Sequence, residues 1–501
     1  MSVKVISQNK FNGGLSISDK EGIPGSFRSG FGINVHDEPF KFSALPGSVN
    51  VLRGKTSQAG GVNTNVQTGS IKWIVSASPW LKAVFAYDEN GTLYQENDLG
   101  SWNVVRQVSA SVGQGLGVYN NYLYYMRNQD IGRYGPLNGS PTFTDSWASG
   151  LGVTIVDTSV QGFAPVLAFG KGIAFGHGSN LAWFDGTTLT GQRLVFPPQA
   201  LVRSMCRIEQ YLMIGTIGST NVFDNEEGFV FAWDGFSVSF NYFNNIDQGS
   251  NNCLVNYHNQ PLSVNGTSGR IYLGIDPFTK VHQLPGIPIT GSCQVYPGAV
   301  TSWKGRVFIG FSATSSDPNF VRGLYGWGSK GSMYPDALTC DYTISTGNTG
   351  ASVQITAAKG LGNALYIAWR DSDTFGVDKV INTNTPIQQS RINFLIFDDK
   401  RIPQDKNADT IRVDHSVLRP GESISIYART NRIGDYQTPR IVHTYSANDT
   451  KSNETRWRPD SGSSRFQEFE WGVGISCLSG TSPEIYGVSL KYDDLASEVA
   501  I

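Results

Sequence analysis

The side chains that most often perform acid–base, nucleophilic or metal chemistry are spread along this sequence without the spacing that such chemistry needs. Its six histidines form neither HxH nor HExxH, the spacings that place two imidazoles on one zinc ion. His177, in the stretch Gly-His-Gly at 176–178, is a candidate catalytic histidine, and a polar turn within a β-sheet is the favoured alternative. No Gly-x-Ser-x-Gly elbow and no phosphate-binding loop is present, and GQGLG at 113–117 is interpreted as a turn between strands.

Four pairs of acidic residues stand close together in the sequence, and paired carboxyls are what a glycosidase uses. Such an enzyme holds its two carboxyl groups about 5 to 9 Å apart across a cleft. The sequence does not fix that distance, so solvated loops are the favoured interpretation. The stretch DENGTLY at 88–94 is similar to the Asp-box turn of sialidase propellers, but it lacks the serine and tryptophan of that box. The pairs are Glu226 and Glu227, Asp371 and Asp373, Asp398 and Asp399, and Asp493 and Asp494.

Cysteines and tryptophans are the remaining residues with distinctive chemistry. The five cysteines include no CxxC pair, so the sequence predicts buried free thiols rather than a metal or redox site. Trp102, Trp147 and Trp327 are candidates for stacking on sugars if loops expose them, and packing between blades is the favoured interpretation. We therefore predict no catalytic, cofactor-binding or metal-ligating residues, no cofactor and no enzyme activity. The cysteines are Cys206, Cys253, Cys293, Cys340 and Cys477.

The composition describes the framework that must position these residues. Charged residues make up only 16% of the chain, aromatic residues 12%, and 57 residues are glycine, which favours short strands joined by tight turns. With a net charge of -2, the chain does not have the excess of basic residues that is typical of a nucleic-acid binder. No apolar run is long enough for a membrane span, and the N-terminus lacks the apolar core of a signal peptide. The sequence thus predicts folding in a cytoplasm.

A repeated hairpin is the strongest structural signal. A strand, a polar or glycine turn and an aromatic-rich strand recur at intervals of 38 to 58 residues. A second hairpin follows most of these units, which gives four strands per unit and predicts a β-propeller. Seven repeats predict about seven blades, with six or eight left open. The units lack the motifs of WD40 and kelch repeats. The turns are centred on Trp80, Asn120, Lys171, Glu209, His258, Lys304 and Gly362.

The two ends of the chain do not follow the repeat. Alternating apolar residues in the C-terminal part predict half-buried antiparallel strands, and hence a β-sandwich-like module at 391–501 beside a propeller at 55–390. Residues 1–54 are predicted to form an extended, glycine-rich arm. It is suited either to lie across another subunit or to complete a blade of its own propeller. With the propeller built from about residue 55 onward, deletion of residues 1–50 is predicted to leave it folded and to impair assembly.

Both ends carry a resemblance to a known group of proteins. The lead-in NGGLSISDKEGIPGSFRSGFGINVHDEPFKFSALPGSVN at 12–50 and the closing strands FEWGVGISCLSGTSPEIYGVSLKYDDL at 469–495 resemble those of virion β-propeller proteins of tailed bacteriophages, found in tail nozzles and tail tips. The resemblance implies a structural tail protein of the virion, made in the host cytoplasm. It also implies a homo-oligomer in a symmetric ring, other tail proteins as partners, and a contribution to host attachment. A glycan-binding attachment protein that recognises a host surface glycan, and an extracellular glycan hydrolase, are the alternatives.

Overall fold

A computed structural model provides the structure of this chain. It describes the whole chain except for the segments given at the end of this paragraph, and every structural statement below concerns the described residues. The undescribed segments are 1–2, 17, 56–66, 78–82, 97–100, 108–111, 157, 159–161, 219–227, 247–250, 266–268, 275–278, 284–292, 314–319, 330–335, 382–388, 399–404, 448–452, 461–463, 478–481 and 496–501.

The N-terminal arm contains six strands, and the six blades that follow it are antiparallel sheets formed by consecutive strands. The arm strands are β1 (Val3–Gln8), β2 (Gly14–Leu15), β3 (Ser26–Phe31), β4 (Ile33–Asn34), β5 (Ser43–Ala44) and β6 (Ser48–Lys55). Blade 1 has β7 (Ile71–Ser76), β8 (Val84–Asp88), β9 (Thr92–Glu96) and β10 (Trp102–Gln107). Blade 2 has β11 (Gly113–Tyr119), β12 (Tyr122–Arg127), β13 (Asp130–Gly135) and β14 (Thr142–Thr144), followed by the short helix α1 (Trp147–Gly150). Blade 3 has β15 (Val166–Phe169), β16 (Gly172–His177), β17 (Asn180–Phe184) and β18 (Leu189–Val195).

The remaining blades lead into the C-terminal module. Blade 4 has β19 (Leu201–Ile208), β20 (Tyr211–Ile217), β21 (Gly228–Trp233) and β22 (Tyr242–Ile246). Blade 5 has β23 (Asn251–Tyr257), β24 (Gln260–Asn265), β25 (Arg270–Leu273) and β26 (Thr279–Gln283). Blade 6 has β27 (Cys293–Gln294), β28 (Val300–Trp303), β29 (Arg306–Ala313), β30 (Gly323–Gly328) and β31 (Ala337–Tyr342). Blade 7 begins with β32 (Val353–Leu361), β33 (Ala364–Asp371) and β34 (Thr374–Ile381). The module has β35 (Gln389–Phe394), β36 (Lys406–His415), β37 (Glu422–Thr430), β38 (Ile441–Thr444), β39 (Glu454–Trp457), β40 (Arg465–Phe466), β41 (Phe469–Cys477) and β42 (Ile485–Asp494).

Seven blades close into a ring, which confirms the predicted propeller. The innermost strands β7, β11, β15, β19, β23, β28 and β32 each contact the innermost strand of the next blade, and β32 contacts β7. Each of the seven interfaces between neighbouring blades holds its own cluster of buried apolar side chains. Packing blade on blade in this way buries both faces of every sheet, which a single four-stranded sheet cannot do.

The repeated turns of the sequence fall where the innermost strand of a blade meets its second strand. Asn120 and Asn121 have φ angles of 46° and 65°, and Lys304 and Gly305 have φ angles of 49° and 78°. Two consecutive positive φ angles are typical of the type I′ turn, whose twist matches that of a two-residue hairpin. The first predicted turn, centred on Trp80, lies outside the described residues.

The arm supplies the fourth strand of blade 7. Strand β6 pairs antiparallel with β34, from Ser48 opposite Val380 to Lys55 opposite Thr374. The predicted boundary at residue 54 therefore falls inside a propeller strand. Of the two predicted roles for the arm, the structure has the second, in which the arm completes a blade of its own propeller. The physical reason is that the edge strand of the last blade has unpaired backbone N–H and C=O groups. A strand from the beginning of the chain pairs with these groups and joins the two ends of the ring.

The C-terminal module is a β-sandwich that also uses the arm. One sheet has the order β1-β42-β36-β39, with β40 also paired to β36, and the other continues from blade 6 as β31-β3-β35-β41-β37-β38. Apolar residues of both sheets face each other in one core, which extends through Phe11, Phe27 and Phe42 of the arm into the interface of blades 5 and 6. Strand β35 begins at residue 389, two residues before the predicted module. The arm thus connects the propeller and the sandwich into one packed unit.

No helix within the described part of the chain has the length and apolar character needed to cross a membrane.

Candidate functional site

The larger of two cavities of interest lies where the arm crosses blades 6 and 7, and we call it the arm cleft. It encloses about 300 Å³, at the lower end of the range for small-molecule sites. Arm residues form one wall, and the innermost hairpin of blade 6 and the edge of blade 7 form the others. The lining residues are Asn34, His36, Asp37, Leu45, Pro46, Trp303, Lys304, Arg306, Phe308, Ser329, Tyr342 and Val380.

A chain of hydrogen bonds runs from the arm cleft into blade 6. The Thr339 hydroxyl donates to the Asp341 carboxylate, so its single proton is used. The His36 Nε2 atom, 2.9 Å from that hydroxyl, must therefore be the donor, which fixes the tautomer of the imidazole. Arg306 forms an ion pair with the same carboxylate. Asp341 is fully buried, and desolvation raises the pKa of its carboxyl while Arg306 opposes the shift.

The polar side chains of the arm cleft serve mainly to hold the arm on blade 6, through the contact of His36 with Thr339. Asn34 donates to Asp37 at 2.5 Å, and the Lys304 ammonium lies 4.4 Å from the centre of the Trp303 ring. The lysine thereby covers the aromatic face that a sugar would use for stacking. The arm cleft can accept a small polar ligand, and its existing contacts anchor residues 34–37.

The second cavity lies on the axis of the propeller, and one end of it carries a layer of polar residues that the sequence analysis missed. Five innermost strands each contain one extra residue without a partner on the second strand. Such a β-bulge redirects one side chain of the strand. All five extra residues are polar; they are Lys72, Gln114, Arg203, Asn252 and Thr356.

The glycines around one of these bulges correct an expectation from the sequence. The stretch 113–117 was interpreted as a turn, but it belongs to the innermost strand of blade 2. A Cβ atom at Gly113 would lie 1.9 Å from the Asp88 carbonyl oxygen, and one at Gly115 would lie 1.8 Å from that of Ala164. The glycines are needed because neighbouring backbones come too close for any side chain.

Phe163 closes this polar end of the axis between two cations. The Lys72 ammonium lies 4.8 Å and the Arg203 guanidinium 4.5 Å from the centre of the Phe163 ring, and the Tyr296 ring is 6.1 Å away. Lys72 also donates to the Gly162 carbonyl at 2.8 Å. Desolvation lowers the pKa of Lys72 to about 8, although Glu89 opposes the shift, and lowers that of Arg203 to about 9.

Below this end, the axial cavity encloses about 150 Å³ and is bordered by all seven blades. Its described side chains are apolar apart from Ser204, Lys359 and the indole N–H of Trp73, and the Ser204 hydroxyl donates to the Asn251 carbonyl at 2.9 Å. The lining residues are Trp73, Ile74, Val75, Leu116, Pro165, Val166, Leu167, Ser204, Met205, Leu254, Pro297, Gly298, Val300, Ala358 and Lys359.

His177 has a structural position. It is the last residue of β16 and is fully buried. Its Nδ1 atom accepts from the Val156 amide at 3.1 Å, and its Nε2 atom, which carries the proton, donates to the Gly191 carbonyl at 2.7 Å. Both ring nitrogens are thus used to hold the segment before blade 3 against that blade.

We expect His177→Ala to lower the free energy of unfolding by about 2–4 kcal/mol, because a buried amide and a buried carbonyl both lose their partner. Urea unfolding followed by tryptophan fluorescence measures the change. His258→Asn is the matched control, since His258 is an exposed turn residue at φ 47°, a conformation that asparagine tolerates. A loss below the scatter of the control would contradict the structural role.

The same histidine predicts a dependence of stability on pH. Desolvation lowers the pKa of His177, and also that of His415, below the ordinary value of 6.5. The unfolded chain then binds protons that the folded chain does not, so stability is present above pH 6.5 and falls as the pH drops below it. We expect His177→Ala to flatten this slope in urea titrations at successive pH values. An unchanged slope would contradict the assignment.

The three tryptophans considered for sugar stacking are buried, which confirms the favoured interpretation that they pack within the fold. Their exposed fractions are 2% for Trp102, 6% for Trp147 and 4% for Trp327. Trp102 packs edge-on against Tyr366 of the next blade, and Trp147 against Tyr124. Flat aromatic side chains fill the space between twisted sheets, which is why these residues recur in the repeats.

Four of the acidic candidates that the structure describes have structural partners. Asp88 is buried, and its carboxylate accepts from the Thr92 amide at 2.7 Å and the Tyr94 hydroxyl at 2.8 Å. Asp371 accepts from Asn348 at 2.7 Å, and Asp398 pairs with Lys20 at 2.9 Å. Asp494 pairs with Lys4. Glu226, Glu227 and Asp399 lie outside the described residues.

The remaining candidates are the described cysteines and potential metal ligands. Four cysteines are buried thiols outside any disulfide, as expected, whereas the side chain of Cys293 lies outside the described residues; the four are Cys206, Cys253, Cys340 and Cys477. Among the residues that the structure describes, no three histidine, cysteine or acidic side chains are grouped so that they could hold a metal ion.

Comparison with known proteins gives similarity in structure only. No protein-family model matches the sequence, and no curated protein matches it. The chain is similar to YCF48 bound to D1 peptide, with 9% identity, 63% of this chain and 92% of that chain covered, and a TM-score of 0.41. The WD40 β-propeller domain of Doa1 has 11% identity, coverage of 67% and 97%, and a TM-score of 0.40. The Pan2 WD40 domain of Neurospora crassa has 8% identity, coverage of 67% and 96%, and a TM-score of 0.41. Because these similarities are low, the identification of the propeller rests on the strand pairing within this chain and not on the comparison.

Proposed function

We propose that this chain is a structural component of a bacteriophage tail, of the nozzle, tail-tip or adaptor kind, that assembles with other virion proteins. The proposal rests on the resemblance of stretches 12–50 and 469–495 to the ends of virion propeller proteins. One observation supports it above the others, namely that these two stretches fold together.

The contacts between the two stretches are numerous and specific. Phe42 and Ile485 exchange both backbone hydrogen bonds, at 3.1 and 2.9 Å. The Lys41 ammonium pairs with Glu484 at 2.9 Å, and the Ala44 amide donates to the Ser482 hydroxyl at 2.8 Å. The Ser-Pro-Glu-Ile turn therefore lies against the segment that leads to Leu-Pro-Gly. Because the resembling stretches form one structural unit, the resemblance concerns a shared piece of architecture rather than two unrelated motifs.

The way that the arm is built into the molecule suits a component that transmits load. The arm contributes strands to blade 7, to the junction of blade 6 with the sandwich, and to the outer sheet of the sandwich. Propeller and sandwich are thereby joined by backbone pairing as well as by a common core. A virion component must keep its shape under force, and pairing between distant parts of one chain provides that resistance.

A rigid apolar projection supports the assembly part of the proposal. Phe236 and Val238, between β21 and β22, are 82% and 85% exposed. Asp234 fixes their loop by accepting from the Phe236 and Ser237 amides, both at 2.8 Å. An ordered loop that presents large apolar side chains to solvent is typical of a contact surface for another protein.

Mass spectrometry of gradient-purified particles, from the phage whose genome encodes this chain, tests the proposal. We expect peptides from the propeller and from both ends to be present at a constant ratio to the other tail proteins. Disassembled particles should retain the chain in the tail fraction. Detection in the lysate without detection in the purified particles would contradict the proposal.

A further inference from the structure

Lys359 occupies an unusual position in the axial cavity. It lies on β32, the innermost strand of blade 7, and lines a space bordered by residues of every blade. Among the lining residues that the structure describes, Lys359 is the one with an ionisable side chain. The cavity walls nearest the axis carry aliphatic side chains, including Val75, Leu167 and Val300.

The Lys359 ammonium has no partner within the described part of the chain. No hydrogen bond or ion pair joins it to a described residue, and burial, without any nearby carboxylate, lowers its pKa. Lys72 and Arg203 add two more cations at the end closed by Phe163. The Lys359 side chain is half-buried, so its ammonium meets the solvent of the cavity and no carboxylate of the described residues. The axis therefore carries positive charge that a bound anion would balance.

The lining also limits what kind of anion fits. The other polar side chains at the cavity already donate elsewhere, since Ser204 donates to Asn251 and the Trp73 indole donates to the Gln114 carbonyl at 2.7 Å. The single positive charge of the Lys359 ammonium, with its three N–H donors, matches one carboxylate group better than a multiply charged oxyanion. A volume of about 150 Å³ corresponds to roughly five water molecules at about 30 Å³ each, or to one molecule of about six non-hydrogen atoms.

We propose that the axial cavity is a binding site for a small aliphatic monocarboxylate, whose carboxylate pairs with the Lys359 Nζ atom. The short hydrocarbon part lies against Val75, Leu167, Met205 and Val300, and is thereby removed from water. The site is independent of the proposed role in the virion, because it depends only on the closed ring of seven innermost strands.

Thermal unfolding of the full-length chain in sodium butyrate tests this site. Because a ligand that binds only the folded state stabilises it in proportion to the logarithm of its concentration, we expect the Tm of the wild type to rise by roughly 1–3 °C at butyrate concentrations about 10 to 100 times the Kd. Butyramide has the same shape without the charge, and sodium chloride supplies ionic strength without the hydrocarbon part. Neither should raise the Tm.

Two lysine variants separate the axial site from effects at the surface. Lys359→Met keeps the length of the side chain and removes its charge, so we expect a Tm without butyrate at least as high as that of the wild type and no rise with butyrate. Lys304→Met, at an exposed turn, should respond like the wild type. Lys359→Gln provides the same comparison if Lys359→Met does not fold. An unchanged Tm of the wild type in butyrate, an equal rise in the Lys359 variants, or an equal rise with chloride would overturn the proposal.

Discussion

Deleting residues 1–55 is expected to abolish the folded monomer, because this deletion removes one strand of blade 7 and three buried phenylalanines of the shared core. This replaces the expectation from the sequence that a protein without residues 1–50 keeps a folded propeller. Without β6, the backbone of β34 is left as an open edge. Phe11, Phe27 and Phe42, each at most 1% exposed, are lost at the same time. Circular dichroism and size-exclusion chromatography of the purified variant measure the outcome.

Two milder changes in the arm make the prediction specific. Deletion of residues 1–9 removes only the edge strand β1, so a folded protein with a lower Tm is expected. Leu52→Ala should cost about 2–5 kcal/mol of unfolding free energy, since Leu52 is buried between blades 7 and 1. Val49→Ala, at a residue that is 62% exposed on the same strand, should change it by less than about 0.5 kcal/mol. A monomeric 1–55 deletion variant that unfolds cooperatively at the wild-type Tm would contradict the structure.

Glu470→Gln is expected to lower the free energy of unfolding by about 3–5 kcal/mol, because it removes the negative charge that balances two arginines. Glu470 is 1% exposed, and its carboxylate lies 3.2 Å from Arg28 of the arm and 2.5 Å from Arg429 of the sandwich. The Arg28 Nε and Nη2 atoms have no other hydrogen-bond partner in the described part of the chain. Loss of the carboxylate therefore leaves a buried guanidinium without compensation.

Glu468→Gln is the matched control, two positions away on the same segment. Glu468 pairs with Lys20 and Arg432 at the surface, so its substitution should cost at most about 1 kcal/mol. Urea unfolding of both variants measures the difference. Equal losses in the two variants would show that Glu470 does not hold the arm in the way that the structure indicates.

The propeller could be predicted from the sequence because its signals are local. A turn that needs positive φ angles selects asparagine and glycine, as at Asn120 and Gly362, and the aromatic strands beside it repeat with the blades. The sandwich strands could be predicted for the same reason. In a half-buried strand every second residue is apolar, so the pattern is visible within the strand itself.

The pairing of the arm could not be predicted in this way. Strand β6 contacts β34 across more than three hundred residues of sequence, and Asn50 donates to Asp378 at 3.0 Å. Nothing within residues 48–55 identifies that partner. The bulges on the innermost strands were hidden for a related reason, because an extra residue such as Lys72 or Arg203 can be recognised only against the register of its neighbour. For the tryptophans, the residue type alone does not distinguish a side chain buried between blades from one exposed on a loop.

An engineered disulfide between β6 and β34 tests most directly whether the arm closes the propeller of its own chain. Val49 and Lys379 lie opposite each other on these antiparallel strands, at a spacing that suits a disulfide. We expect mild oxidation of the variant with Val49→Cys and Lys379→Cys to give a cross-linked monomer on a non-reducing gel. The two single variants should give no such band. A cross-linked dimer or higher oligomer from the double variant would place the arm on a neighbouring chain and contradict the account.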